Sequence, residues 1–283
     1  MNTENLGLIF KKLRKTAGLS QIEMAKILQR DQATISRLEK GTQSLSLESI
    51  FVLSKFFEIK YEDLLSGHVN YWAIAKKFDV PLKIEEKYLD NNHSVVREVI
   101  PLMRMIVKKQ SADGLKTFLK RFNLEDLIYM CPSESISFHI YFDLLQRALQ
   151  SELISKDDIP SLVAETKSME YHGSFYKVYQ KQPTPIKIIK AYSYNSPQYE
   201  GAFEHNIIDF SERAVTIGFK VRDFAKEIDF AKGDMGSFLI DYKKAYFSEL
   251  PSVFGFDPLI AKPAINKSKS LSDEVSIKLI QSA

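Results

Sequence analysis

Apolar residues recur at helical spacing through the first 65 positions of the chain. Leu6, Ile9, Phe10 and Leu13 share one face of a helix over residues 4–16, and Gly18 supplies the left-handed residue that ends it. Ser20-Gln21-Ile22-Glu23 has the form of a capping box. There the Ser20 hydroxyl accepts from the amide of residue 23, and Glu23 accepts from the amide of residue 20. A second helix therefore starts at this point and runs to about Leu28. Asp31 is a suitable N-cap for a third helix over 32–39, with Gly41 as its stop. Two helices that meet across so short a turn need a small contact residue, and Ala25 stands where it is needed, facing Ile35 and Leu38. Leu47, Ile50, Leu53, Phe56 and Phe57, then Ile59, Leu64 and Leu65, predict a fourth and a fifth helix.

Ser66-Gly67 ends this first pattern, and Pro81, Asn91 and Asn92 interrupt the next, so residues 67–92 read as a connector. Helical spacing returns over 95–108, 114–121, 124–130 and 135–151, with a further helix over 157–169. The character then turns to β. Phe175–Tyr179, Pro185–Tyr192, His205–Phe210 and Ala214–Val221 are rich in aromatic and β-branched residues, and Ser211-Glu212-Arg213 joins the last two as a hairpin turn. Phe238–Phe247 resumes a helix. The predicted architecture is multidomain: an all-α five-helix domain over 1–66, then an α+β domain over 93–262 of helices, a small antiparallel sheet and a helix. In the tail over 263–283, Ile265, Leu271, Val275, Leu279 and Ile280 suggest a short amphipathic helix.

A length of 283 residues suits this division, since single cores stop growing at roughly 250–300 residues. With 45% apolar and 27% charged residues, the composition is that of a globular protein. The N-terminus lacks the pattern of a signal peptide, and no run approaches the ~18 apolar residues of a membrane span. Cys131 is the single cysteine, which excludes an intrachain disulfide and a cysteine zinc site and agrees with a reducing, cytoplasmic setting. The net charge of +3 is unevenly spread. Residues 1–41 carry eight basic and four acidic side chains, a net of +4, which leaves −1 for the other 242 residues. A positive excess in one short helical segment is what a phosphate-facing surface requires.

The stretch L-S-Q-I-E-M-A-K-I-L-Q-R-D-Q-A-T-I-S-R-L-E-K-G, residues 19–41, resembles the helix-turn-helix of the Cro and phage-repressor superfamily, a likeness that extends over 6–65. It implies double-stranded DNA as partner, with the third helix in the major groove and the start of the second on phosphate. Carried over, Gln32, Ala33, Thr34 and Arg37 face bases, Gln21 meets the backbone, and Ser36, Lys40, Thr42 and Gln43 are phosphate contacts. The chemistry fits: Gln pairs with adenine, Arg with guanine, and Ala or the Thr methyl with the thymine methyl. Arg14 and Glu39 correspond to an ion pair that ties the first helix to the third. Gln29 stands where the turn commonly has glycine, at a cost of roughly 1 kcal/mol if left-handed. Repressor-type modules bind paired half-sites, which implies a homodimer.

Residues 241–256, D-Y-K-K-A-Y-F-S-E-L-P-S-V-F-G-F, resemble a sensory domain of bacterial signalling proteins, similar in fold to the 4-vinyl-reductase-like and haem nitric-oxide-binding domains. Many members carry cysteines here, and this chain has Ile240 where the first is expected, so no metal and no cofactor is implied. Tyr171, Phe175, Tyr176, Tyr179, Tyr192 and Tyr194 are candidates to line a pocket for a small apolar or aromatic ligand, although a sheet face packed on helices is the commoner use of such a group. His93, His172 and His205 read as surface residues. His139, among Phe138 and Phe142, reads as a hydrogen-bonded core histidine.

No phosphate loop, nucleophile elbow, zinc-protease motif or carboxylate pair is present, so the chain is not expected to be an enzyme. Three regulator types remain open. The C-terminal domain senses a ligand, or it serves only for dimerisation or protein contact, or it is a helical peptide receptor. The β-rich stretch over 175–222 and the lack of an about 34-residue period argue against the last.

Overall fold

In the computed structural model, residues 3–66, 69–89, 93–198, 200, 202–225, 228, 230, 234–263 and 275–281 are described. The helices expected at the N-terminus form where their caps place them: α1 (Thr3–Thr16), α2 (Gln21–Leu28), α3 (Gln32–Glu39), α4 (Leu47–Phe57), α5 (Tyr61–Ser66) and a sixth, α6 (Tyr71–Lys77). The Ser20 capping box closes in both directions, with Glu23 N to Ser20 Oγ at 3.2 Å and Ser20 N to Glu23 Oε2 at 2.7 Å. Asp31 accepts from the Thr34 amide at 2.7 Å, Ser46 from Ser49 at 3.2 Å and Asn70 from Ala73 at 3.0 Å, so α3, α4 and α6 are capped in the same manner. Gln29 does take the left-handed conformation (φ 52°, ψ 46°) between α2 and α3, the position where glycine is commoner.

The chain divides into two units, residues 1–84 with 122–134, and residues 85–121 with 135–283. In the first, Leu13, Met24, Ile35 and Leu53 are completely buried, and Ala25 lets α2 and α3 approach. Gly7 has the same use between α1 and α3: a Cβ there would stand 2.4 Å from the Leu38 carbonyl oxygen. The returning segment 122–134 closes this core through a 3₁₀ turn over Glu125–Tyr129 where a helix is expected. Val69 N donates to the Tyr129 carbonyl at 2.8 Å. Lys12 lies 4.1 Å from the Tyr71 ring centre and 3.6 Å from that of Tyr129, with Asp126 at 2.5 Å. Lys12 is thus spent inside the unit, which reduces the free positive charge of the segment.

Arg14 and Glu39 are buried together. Arg14 Nε and Nη2 donate to Glu39 Oε1 and Oε2 at 2.5 and 3.1 Å, and Arg14 Nη1 donates to the Leu19 carbonyl at 2.7 Å. Burial alone would raise the Glu39 carboxyl. The hydrogen bonds from Arg14 and Gln21, with the charge of Arg14, outweigh it and hold the group below its ordinary value.

The second unit begins with a short antiparallel pair, β1 (His93–Val95) and β2 (Ser135–Ser137). Its helices are α7 (Val96–Lys120, with a break at Ser111, φ 80°), α8 (Phe138–Gln150), α9 (Ile159–Glu165), α10 (Met169–His172), α11 (Tyr176–Gln180) and α12 (Pro185–Asn195). Then come β3 (Phe203–Phe210), β4 (Ala214–Val221), α13 (Met235–Glu249), β5 (Ile260–Pro263) and β6 (Val275–Ile280). The four strands form one antiparallel sheet of order β3-β4-β6-β5. Ser211 turns the β3–β4 hairpin as expected, its hydroxyl accepting from Ala214 N at 3.1 Å.

Three expectations are corrected. Phe175–Tyr179 and Pro185–Tyr192 are helical in α11 and α12, not strands. Thr184 caps α12 and Pro185 opens it, while Pro185, Ile188, Ile189 and Tyr192 bury one helical stripe, so spacing outweighs β-branched content. Of the expected tail helix, Val275, Leu279 and Ile280 lie in β6, an inner strand; Ile265 and Leu271 lie outside the described residues. His172 and His205 are buried, not on the surface.

Three measurements check this account. Gly7→Ala forces apart backbones that cannot give way and is expected to cost about 1–3 kcal/mol. Arg14→Ala strands the buried Glu39 carboxylate and is expected to cost about 3–5 kcal/mol. Trp72, the single tryptophan, is buried in the first unit, so urea unfolding followed by its fluorescence reads both; unchanged midpoints would contradict the packing. Burial, first among the causes, lowers the His172 and His205 imidazoles from 6.5 to about 4. Each then contributes stability that is present above pH 6.5 and lost as pH falls through about 4. Proton NMR of the imidazole rings is expected to find both neutral at pH 5, and titration near 6.5 would show that they meet water.

Candidate nucleic-acid interface

The exposed face of α3 and the loop after it carry most of the expected contact residues. Gln32, Ala33, Arg37 and Lys40 are exposed, as are Thr42 and Gln43, and Ser36 is half-buried. Residues 32, 33, 36, 37 and 40 share one side because α3 buries the other, with Ile35, Leu38 and Glu39 against α1 and α2. Thr34 departs from the expectation. It is buried, its hydroxyl donating to Asp31 Oδ2 at 2.8 Å, because the capping carboxylate and the packed side of the helix both claim it. It therefore orients its neighbours and is not part of the exposed face.

The exposed polar groups are held before any partner arrives. Gln21 Nε2 donates to Glu39 Oε2 at 2.9 Å, and Gln32 Nε2 donates to Gln21 Oε1 at 3.1 Å. The start of α2 and the start of α3 are thus linked to each other and to the buried Arg14–Glu39 pair. Arg37 Nη2 donates to Thr34 Oγ1 at 2.9 Å and Arg37 Nε to Gln43 Oε1 at 3.1 Å, while Thr42 Oγ1 donates to the Arg37 carbonyl at 3.1 Å. The Thr34 amide and hydroxyl hold the Asp31 carboxyl below its usual range, so Asp31 remains an anion that pulls on the same chain of groups. Neither the links from Glu39 through Gln21 to Gln32 nor the chain from Asp31 through Thr34 and Arg37 to Gln43 is legible in the sequence. The capping position of Asp31 is the one local sign of the second chain.

Electrostatically the surface is positive at its edges. Lys11, Lys15, Lys26, Arg30 and Lys40 are exposed, and Arg30 approaches Glu48 only to 3.8 Å across solvent. A pair this open contributes little and leaves Arg30 available to an anion. Planar donors on α3 flanked by flexible cations can bond base edges and neutralise phosphates at the same time.

Five of the six aromatic residues expected to line a ligand pocket pack into one aromatic cluster, and Tyr194 lies outside it. Tyr179 and Tyr192 are fully buried with ring centres 6.2 Å apart, and Tyr171 packs on Tyr246 at 6.2 Å. Phe175 stacks on Tyr179, and Tyr176 on Phe254 at 5.1 Å, both half-buried. Tyr194 is 83% exposed, because α12 turns it away from the stripe that holds Tyr192. His139 is half-buried and stacks on Phe138, and Cys131 is half-buried with Sγ 3.2 Å from Ser133 Oγ. Among the described residues no group of three His, Cys, Asp or Glu side chains could hold a metal ion, and no helix is long and apolar enough to cross a membrane.

A comparison with protein families falls on this region. A helix-turn-helix family model matches residues 10–64. The chain is 35% identical over 80 residues to the antitoxin PezA of Streptococcus pneumoniae serotype 4 (strain ATCC BAA-334 / TIGR4), an overlap of 28% of this chain and 50% of that protein. The chain thus spans about half the length of this curated relative; its helical first unit carries a helix-turn-helix, and its second unit is a mixed α and β region with small antiparallel sheets.

Proposed function

We propose that the chain is a transcription regulator of the Cro and phage-repressor type that binds double-stranded DNA sequence-specifically, with α3 in the major groove. The observation that carries this is the exposed set Gln32, Ala33 and Arg37, held by Gln21, Thr34 and Gln43 above a buried ion pair. Gln32 and Arg37 read adenine and guanine edges, Ala33 contacts a thymine methyl, and Ser36, Lys40 and Thr42 fix the register on phosphate. The regulator acts in the cytoplasm, without chemistry of its own, as a homodimer on half-sites about one helical turn apart. The second unit supplies the dimer contact, the response to a small ligand, or both. The likeness of residues 241–256 to bacterial sensory domains favours a sensing role, and a contact-only role remains the alternative. Because the matched relative is named an antitoxin, a second reading is that the chain also restrains a protein partner.

Selection of bound duplexes from a random pool tests the reading. One enriched motif with two-fold symmetry is expected. Arg37→Ala is expected to cost about 1–3 kcal/mol at one base position of each half-site and to relax preference there. An equal loss on every duplex would place Arg37 on phosphate and contradict base readout.

A further inference from the structure

The second unit encloses two carboxylates that are treated unequally. Glu200 has a partner on each oxygen: Lys243 Nζ donates to its Oε1 and Tyr192 Oη donates to its Oε2 at 2.7 Å, while the neutral His205 lies with Nε2 3.4 Å from Oε2. Lys243 itself is sealed in, 4.7 Å from the centre of the Phe203 ring. Glu98 on α7 is as deeply placed, 9% exposed, yet among the described residues the Ser94 hydroxyl is its one hydrogen-bond partner, on Oε2. It borders a cavity of about 10 Å³, lined also by Tyr141 of α8, Tyr242 and Phe238 of α13, and the apolar Pro101, Leu102, Leu145 and Leu162. Tyr141 is likewise 9% exposed. That volume is room for one water-sized occupant.

We propose that this cavity binds one small monovalent cation of the ammonium type, which pairs with Glu98 as Lys243 pairs with Glu200. The lining suits it. One carboxylate stands there among three aromatic rings, Tyr141, Tyr242 and Phe238, and such rings favour a weakly hydrated cation. Calcium and magnesium need six or more oxygen ligands, which these walls do not supply. The charges around Glu98 leave a place for a cation. Glu200 precedes β3 and repels it, Lys243 on α13 is engaged by Glu200, Ser94 of β1 and the phenols of Tyr141, Tyr171 and Tyr242 are neutral, and His205 of β3 is neutral above about pH 4.

Without a cation, burial first and the charge of Glu200 second raise the Glu98 carboxyl to about 8, so it holds a proton at neutral pH. An entering ammonium ion replaces that proton, which leaves to solvent, and the buried charge is unchanged. Binding therefore tightens as pH rises from 6 towards 8. The site deepens the sensing part of the proposed function, but it stands on the second unit alone, and its tests contain no DNA. Failure of DNA readout and failure of this site are separately visible.

The full chain is to be melted in ammonium chloride and in sodium chloride at equal ionic strength, at pH 6 and pH 8. A higher midpoint in ammonium is expected, by the linkage of a ligand that binds only the folded state, with the larger excess at pH 8. Glu98→Gln is expected to abolish that excess and Tyr141→Phe to reduce it. A readout that needs no variant is proton release: ammonium added to the weakly buffered protein at pH 7 is expected to release up to one proton per chain, and sodium none. Equal midpoints in the two salts, an excess that survives Glu98→Gln, or the absence of released protons would each overturn the site and leave a cavity for water only.

Discussion

A charge taken out of water must be met by a partner, and this constraint organises both units. In the first it is satisfied by Arg14 and Glu39, whose two parallel hydrogen bonds join α1 to α3 while the third donor of Arg14 holds the Leu19 carbonyl at the entry to α2. Replacing such a pair by apolar residues is often harmless, whereas removing one partner is not. The pair therefore acts less as a source of stability than as a fixed point of orientation. The relative placement of three helices is specified by atoms that tolerate no other arrangement.

That fixed point reaches the surface in two steps. Glu39 accepts from Gln21, and Gln21 accepts from Gln32, so an exposed amide at the tip of α3 is positioned by a charge in the core. Arg37 is held from the other side by Thr34 and Gln43. Side chains ordered in advance lose less entropy when a partner arrives, and planar groups held in one orientation discriminate between base edges better than mobile ones. The returning segment 122–134 supports the same end of α1 by enclosing Lys12 between two tyrosine rings and Asp126.

In the second unit the constraint is met once in full and once in part. Glu200 and Lys243 neutralise each other among aromatic rings, and the cluster links the end of α12, the start of β3 and α13. Glu98 is left with a hydroxyl and a cavity. The inequality of these two carboxylates separates a structural ion pair from a site with an open coordination.

The sequence alone determined α1 to α5, because there the signals are local: caps, stop glycines and a helical apolar stripe lie within a few residues of one another. The Arg14–Glu39 pair and most of the exposed face of α3 followed from the resemblance to the Cro and phage-repressor helix-turn-helix. Tertiary structure decided the rest. α11 and α12 look like strands by composition, and in α12 the cap at Thr184 and the buried stripe through Ile188 and Tyr192 outweigh it. Val275–Ile280 becomes an inner strand because β4 and β5 offer hydrogen bonds on both sides, which no local pattern announces. Thr34 leaves the exposed face because its hydroxyl is claimed by Asp31, a contact that depends on side-chain geometry and not on helical phase. Glu98, Tyr141 and Tyr242 come from three separate helices, so their convergence on one cavity exists only in the folded chain.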